Sequence, residues 1–200
     1  MTSTCPPALT PQQYHEVVAP PRELAARCAA LLPAGRDVLD LDQLEQLVRT
    51  IADDPTLWEP LVVVDPDRRR YRLLHEDARI DVWVLSWMPG QGTGFHDHDI
   101  SGVGLACARG SVVEKQLRLP SGVSTVEMTP GVSRQGGPGY IHSVAHAGGE
   151  PAITIHAYSP PLERVGQYRV DEAGVLTRAI EHGRQELLDH TIAAIDPELA

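Results

Sequence analysis

Apolar residues near the N-terminus recur at helical spacing. Residues 21–32 and 42–52 place apolar side chains every three or four positions, which predicts two amphipathic helices. The two apolar faces consist of Leu24, Ala25, Cys28, Leu31 and Leu32, and of Leu44, Leu47, Val48 and Ile51. Asp42 is the expected N-terminal cap of the second helix. Residues 1–60 are therefore expected to form a helical cap on the rest of the fold.

From about residue 61 the pattern changes to short apolar or alternating runs. These runs lie at residues 61–64, 71–74, 80–88, 103–108, 111–119, 124–128, 152–158, 167–170 and 175–180. Gly, Pro, Asp and Ser separate them, and the chain contains 17 Gly and 17 Pro. Many short strands joined by turns predict a β-barrel or sandwich.

The C-terminal part of the pattern closes this β region. DEAG at 171–174 predicts a hairpin turn, and residues 184–194 carry apolar positions typical of an amphipathic helix. No linker divides the chain of 200 residues. We therefore expect a single domain over residues 1–200, with a barrel at 61–180 and a C-terminal helix at 181–200.

A pair of histidines lies in the segment GTGFHDHDISG. On an extended strand, side chains two positions apart point to the same face, so His96 and His98 converge while Asp97 points away. Two imidazoles that converge from one strand can chelate a divalent metal. The alternative is a pair of surface histidines in a polar loop.

A third histidine follows the Gly- and Pro-rich segment GGPGY. If residues 140–144 are extended, His142 and Val144 share one face, and His146 lies beyond the end of the strand. This favours His142 over His146 as a further metal ligand. The alternative is a turn histidine bonded to the backbone.

Polar side chains also alternate along the segment AITIHAYSPPL. Thr154, His156 and Tyr158 are spaced by two, so one strand face carries a hydroxyl, an imidazole and a phenol. Such a row can form a hydrogen-bond relay in which the histidine orients the tyrosine hydroxyl. A strand with a polar outer face is the alternative. The prolines after Ser159 end the strand, and Ser159-Pro160 is a candidate cis peptide.

Charge and cysteine content exclude several classes of function. The formal net charge of −10 argues against partners that are nucleic acids or anionic membranes. No secretory signal is visible at the N-terminus, and no apolar run reaches the roughly 18 residues of a transmembrane helix. The three cysteines are widely spaced and form neither a disulfide framework nor a CxxC metal motif. A cytoplasmic protein is therefore expected.

In this order, these segments resemble the cupin superfamily and, more narrowly, the cysteine dioxygenase family of thiol dioxygenases. The residues that carry the resemblance are Gly90, Gly94, Trp87, HDH at 96–98, GPGYIH at 137–142, Val144, Glu150-Pro151 and IHAYSPP at 155–161. The resemblance covers about residues 58–180. It implies a mainly β fold: a cupin-type, jelly-roll-like barrel with N-terminal helices and a C-terminal helix.

The resemblance also implies roles for individual residues. The ligands of one Fe(II) per chain are expected to be His96, His98 and His142. Tyr158, supported by His156, matches the tyrosine beside the open positions of the iron. Thr154 stands where the relay of the family often has serine.

The substrate-binding arginine of the family is matched less directly. Arg72 is the expected partner of the substrate carboxylate, because a guanidinium offers that group a planar fork. Arg70 competes with it, and an exposed RRRYR cluster is the alternative to both. Some relatives carry a cysteine that cross-links to the tyrosine, but this chain has Val103 there, so no thioether is expected.

The expected activity is the addition of both atoms of O2 to the sulfur of a small thiol, most simply L-cysteine, within cysteine metabolism. Alternatives are 3-mercaptopropionate or another small thiol acid as substrate, a different metal-dependent cupin enzyme such as an isomerase, or a cupin-like binding or regulatory protein without turnover. Three histidines could also hold Zn²⁺ or Ni²⁺. The oligomeric state is left open, a monomer included.

Overall fold

The fold consists of two antiparallel β-sheets with helices on one side. The computed structural model describes residues 19–118, 121–170 and 175–182. The helices are α1 (Arg22–Ala29), α2 (Leu41–Ala52) and α3 (Pro55–Trp58), followed by a 3-10 turn at Glu59–Leu61. No helix among the described residues is both long and apolar enough to cross a membrane.

Eleven strands follow the helices within the described ranges. They are β1 (Arg70–Glu76), β2 (Asp81–Trp87), β3 (His96–Asp97), β4 (Gly102–Arg109), β5 (Val112–Arg118), β6 (Gly122–Met128), β7 (Ser133–Gly136), β8 (Ile141–His146), β9 (Ala152–Ser159), β10 (Arg164–Val170) and β11 (Leu176–His182). Sheet I has the order β1-β2-β9-β4-β7, and sheet II has the order β11-β10-β3-β8-β5-β6. The predicted mainly β, cupin-type barrel with N-terminal helices is therefore confirmed.

Sheet I is buried on both of its faces. One face packs against sheet II around Trp83, Leu105, Val144 and other apolar side chains, which form the barrel interior. The other face packs against α1, α2 and α3. Every residue of β2 and β9 is therefore buried, including the polar Thr154 and His156 of β9.

A glycine lets α2 lie directly on sheet I. A Cβ atom at Gly104 of β4 would stand 2.8 Å from the backbone carbonyl of Leu44, a distance too short for a side chain. The helix backbone therefore contacts the strand backbone at this point. The other face of β4 carries Val103 and Leu105 into the barrel interior.

Several predicted elements differ from the structure. Residues 61–64 are not a strand, because Pro60 lies in a 3-10 turn that ends at Leu61 and the chain beyond it joins no sheet. The cap of α2 is Asp40 rather than Asp42; its side chain accepts from the Gln43 N–H, and the Gln43 side chain bonds back to Asp40 N–H.

The boundary predicted at residue 180 is also wrong, because β11 continues to His182. β7 (Ser133–Gly136) was not predicted, since SRQG carries no apolar alternation. The predicted C-terminal helix at 184–194 and the turn at 171–174 lie outside the described residues. The strands on either side of that turn do pair antiparallel.

Candidate metal centre

Three histidines from two neighbouring strands of sheet II meet inside the barrel. β3 lies between β10 and β8, and His96 stands directly opposite His142. His98 follows β3 by one residue, so it shares the side of the strand that His96 occupies. All three side chains are buried. The strand pairing thus brings the HDH segment and the GYIH segment together.

The three imidazoles converge on one point. Their ligand nitrogens all lie within 4.8 Å of one another. The ring centroids of His96 and His142 are 4.7 Å apart, and the ring of His98 is 5.1 Å from each of them. Three imidazoles that converge in this way suit a divalent transition metal.

Hydrogen bonds select the nitrogen that faces this point. His96 Nδ1 lies 2.9 Å from the Gly94 carbonyl, and His142 Nδ1 lies 2.8 Å from a carboxylate oxygen of Glu114. Nε2 of His142 is buried and has no hydrogen-bond partner among the described residues. Burial lowers the pKa of His142 to about 4, so this ring is neutral near pH 7, as a metal ligand must be. The residues present therefore fit a bound metal.

His146 does not join this group. It is the last residue of β8 rather than a residue beyond the strand, which corrects the predicted end. Its Nε2 lies 2.8 Å from the Glu150 carbonyl, and its Nδ1 accepts from the Gly148 N–H at 2.9 Å. These bonds hold His146 in the following turn.

A row of polar side chains on β9 of sheet I faces the histidines. His156 Nδ1 lies 3.1 Å from the Tyr158 hydroxyl, and its Nε2 lies 3.0 Å from Thr154 Oγ1. The indole N–H of Trp87 donates to Thr154 Oγ1 at 2.8 Å. The Tyr158 ring stands 5.0 Å from the His98 ring, so the row ends at the three imidazoles.

The strand register places Val103 opposite Tyr158 and Cys107 opposite Thr154. A thiol at Cys107 is therefore four residues along β4 from the position facing the tyrosine. Burial raises the pKa of Cys107 to about 11, which leaves its thiol protonated. Val103, whose side chain cannot form a thioether, is therefore the residue of β4 paired with Tyr158.

Comparisons with known proteins match the part of the chain that contains the residues of this site. The family model for cysteine dioxygenase type I matches residues 14–171 of this chain. This chain belongs to the cysteine dioxygenase type I family. Human cysteine dioxygenase type 1 is 28% identical over 157 residues, covering 72% of this chain and 77% of the human protein. The Danio rerio protein of that name is 25% identical over 140 residues, covering 64% and 69%.

Solved structures give a weaker likeness. The TT1209 protein of Thermus thermophilus is 20% identical with a TM-score of 0.46, covering 52% of this chain and 93% of its own. A cupin superfamily protein from Desulfitobacterium hafniense is 12% identical with a TM-score of 0.44, covering 51% and 86%.

As a member of the cysteine dioxygenase family, this chain is an oxidoreductase of the thiol dioxygenase class. The family acts on a small thiol and O2, and the three-histidine group can hold its metal.

The structure does not bring Arg72 or Arg70 into this interior. Tyr71 and Leu73 pack with the interior cluster, and the Tyr71 ring lies 5.8 Å from the Trp83 ring. Because side chains alternate along β1, Arg72 and Arg70 lie on the opposite face of that strand. Arg72 donates to the Tyr71 carbonyl at 3.1 Å, and Arg70 is ion-paired with Asp65.

Arg69, which the sequence analysis did not consider, is the arginine of this cluster that is buried at the barrel interior. It directly precedes β1 and is 5% exposed. Its guanidinium carbon lies 4.7 Å above the Trp87 ring, the same ring that donates to Thr154. The signal in the sequence was the spacing of two that links Arg69 to Tyr71 and Leu73.

Sequence reasoning also missed the carboxylate behind His142. Glu114 on β5 is 1% exposed and accepts from the Tyr140 hydroxyl and from Arg134 Nε, each at 3.0 Å. Burial opposes its ionisation, but bonds with His142, Tyr140 and Arg134 hold the pKa of Glu114 below its usual value. The signal was a charged residue two positions after the apolar Val112, on the inward face of the strand.

Asp97, between the two metal-facing histidines, anchors the neighbouring hairpin. Arg178 of β11 donates to both of its carboxylate oxygens at 2.7 Å, and the Tyr168 hydroxyl of β10 donates at 2.7 Å. Burial alone would raise the pKa of Asp97, but these bonds outweigh it and hold the pKa well below its usual range. The outward side chain of the HDH segment thus fixes β3 to β10 and β11.

We expect Asp97→Ala to lower the free energy of unfolding by about 2–3 kcal/mol, because it leaves Arg178 and Tyr168 without their acceptor. Chemical denaturation measures this loss. Glu127→Ala, at an exposed position of β6 in the same sheet, serves as the control and should change stability by no more than about 0.5 kcal/mol. Equal stability of the two variants would show that the Asp97 network does not hold the sheet.

Proposed function

We propose that this protein is an iron(II)-dependent dioxygenase that converts L-cysteine to cysteine sulfinate. The observation that carries the proposal is a single barrel interior in which three histidines of sheet II face Tyr158 of sheet I. Membership of the cysteine dioxygenase family supports the same reaction.

The metal would be held by His96, His98 and His142 through neutral imidazoles. Bound there, Fe(II) would keep the full charge of +2, favour a thiolate over a thiol and bring sulfur and dioxygen together. The net reaction is balanced without a further reductant. The thiol RSH and O2 give the sulfinic acid RSO2H, in which sulfur is oxidised by four electrons and O2 accepts them.

Arg69 is the residue that we propose to bind the substrate carboxylate. Arg69 lies beside Trp87, at one end of the hydrogen-bonded row formed by Trp87, Thr154, His156 and Tyr158. The three metal-facing histidines lie at the other end of that row. A guanidinium binds a carboxylate through two parallel hydrogen bonds, which fixes the orientation as well as the affinity of an amino acid. A substrate held at both ends presents its sulfur to the metal in one pose.

Tyr158 is the residue that we propose to hydrogen-bond the reactants. Its hydroxyl is buried beside His156, and the Thr154 and Trp87 contacts restrain that imidazole in turn. A hydroxyl held in advance stabilises developing charge without reorganising during the reaction.

We expect Tyr158→Phe to lower kcat by about 10- to 100-fold while Fe(II) content stays at one per chain, because the hydroxyl acts on reactants and does not hold the metal. Steady-state O2 uptake and metal analysis measure the two quantities. Tyr168→Phe is the matched control, because Tyr168 bonds Asp97 outside the interior. Loss of iron in Tyr158→Phe would contradict this division of roles.

Isotope labelling tests the proposed reaction. The iron-loaded protein is incubated with L-cysteine under ¹⁸O2, and the product is analysed by mass spectrometry. The proposal predicts cysteine sulfinate with two ¹⁸O atoms and one O2 consumed for each thiol. A parallel incubation with 3-mercaptopropionate compares kcat/KM; a higher value for that acid would transfer the assignment to it. Cystine as the only product would refute dioxygenation.

A further inference from the structure

The carboxylate of Glu114 lies on the other side of the His142 ring from the metal-facing nitrogen. Glu114 bonds Nδ1 of that ring, while Nε2 faces the other two histidines. Glu114 is 1% exposed, so water does little to screen its charge. Within residues 19–118, 121–170 and 175–182, the three-histidine group therefore has no carboxylate ligand, but a buried carboxylate lies directly behind one of its histidines.

Two further groups hold this carboxylate in place. Arg134 Nε donates to one oxygen at 3.0 Å, and the Tyr140 hydroxyl donates to the oxygen that also faces His142, again at 3.0 Å. Tyr140 packs on Gly136, where a side chain would overlap the ring. With donors on both oxygens, Glu114 cannot rotate away from the imidazole.

We propose that Glu114 is a positioning residue for His142, and that the charges of Glu114 and Arg134 shift the reduction potential of the bound metal in opposite directions. The inference rests on the proposed function only in taking the metal to be iron at the three histidines. A carboxylate that accepts from Nδ1–H fixes the ring orientation and makes Nε2 a stronger donor.

The two charges have opposite expected effects on the iron. The negative charge of Glu114 stabilises Fe(III) more than Fe(II), so it lowers the reduction potential. The positive charge of Arg134 partly cancels that field, so it raises the potential. Arg134 is 31% exposed, and its effect should therefore be the smaller of the two.

The test uses two variants of the full-length protein and two measurements that require no turnover. The variants are Glu114→Gln and Arg134→Gln. Fe(II) affinity is measured by competition with a chelator, and the Fe(III)/Fe(II) midpoint potential by redox titration followed by electron paramagnetic resonance. Glu114→Gln should weaken Fe(II) binding by about 10- to 100-fold and raise the potential. Arg134→Gln should lower the potential.

Glu45→Gln is the matched control. Glu45 accepts from the Ser133 hydroxyl at 2.6 Å, next to Arg134 along β7, but it does not contact His142. Its affinity and potential should equal those of the wild type. A merely structural role for Glu114 could weaken metal binding, but it would not shift the potential in opposite directions in the two variants.

Shifts of the same sign in both variants, or unchanged affinity and potential in Glu114→Gln, would overturn the inference. If Glu114→Gln does not fold, the Arg134→Gln potential alone decides, because it must fall below that of the wild type. Cysteine oxidation by the wild type is measured separately. A wild type that shows these iron properties but no oxidation would refute only the proposed function.

Discussion

Replacing His142 by alanine is expected to remove iron binding and thiol oxidation together. The substitution deletes one of three protein ligands and leaves a cavity between β3 and β8. Four-ligand zinc sites bind with apparent free energies of about 10–16 kcal/mol, so one ligand is worth roughly 3 kcal/mol. Fe(II) affinity should therefore fall by about 100-fold or more, and turnover at micromolar iron should be lost. Chelator competition and O2 uptake measure these effects.

His146→Ala is the control on the same strand. His146 bonds the turn at Glu150 and does not face the other histidines, so this variant should retain one iron per chain and near wild-type activity. Circular dichroism should show that both variants are folded. Full iron content in His142→Ala, or loss of iron in His146→Ala alone, would mean that the ligand set is wrong.

Replacing Arg69 by alanine is expected to raise KM for L-cysteine by at least about 30-fold. Removing one partner of a buried, hydrogen-bonded charge pair costs about 2–5 kcal/mol. The side chain is 5% exposed, so little water is available to replace its bonds to a carboxylate. Iron content should be unchanged, because Arg69 holds no metal. Steady-state kinetics with iron-saturated protein measures the effect.

Arg72→Ala is the matched control, three residues away on the opposite face of β1. Its KM should stay within about twofold of the wild type, because Arg72 is half-buried on the face of β1 that points away from the barrel interior. The inhibition constant of cysteamine, a thiol amine without a carboxylate, should be equal in the wild type and Arg69→Ala. A large rise in KM for Arg72→Ala, with Arg69→Ala unaffected, would restore the sequence-based assignment.

The fold was predictable from the sequence wherever periodicity was strong. α2 has a clear apolar face, and the runs predicted at residues 80–88 and 152–158 correspond to β2 and β9, which helices and sheet II cover from both sides. β7 was not predicted, because this polar edge strand has no alternation of apolar and polar residues. Residues 61–64 are apolar, yet proline and the end of the helical segment keep them out of both sheets.

Residues of the site could be grouped from the sequence where their side chains lie on the same strand. The spacing of two in HDH and in Thr154, His156 and Tyr158 places each group on a single face, and the structure keeps both groupings. Glu114 and its bond to His142 depend on the pairing of β5 with β8, which no local pattern reveals. Arg72 was assigned from a family resemblance. A shift of one residue in such a match places the side chain on the opposite face of the strand.

The most direct test of the central claim is X-ray absorption spectroscopy at the iron edge, recorded anaerobically before and after addition of L-cysteine. Without substrate, the spectrum should require three imidazole nitrogens bound to one iron. With L-cysteine, a sulfur neighbour should appear at about 2.3 Å. A spectrum with fewer than three imidazoles, or one that gains no sulfur neighbour, would contradict a three-histidine iron centre that binds the thiol substrate.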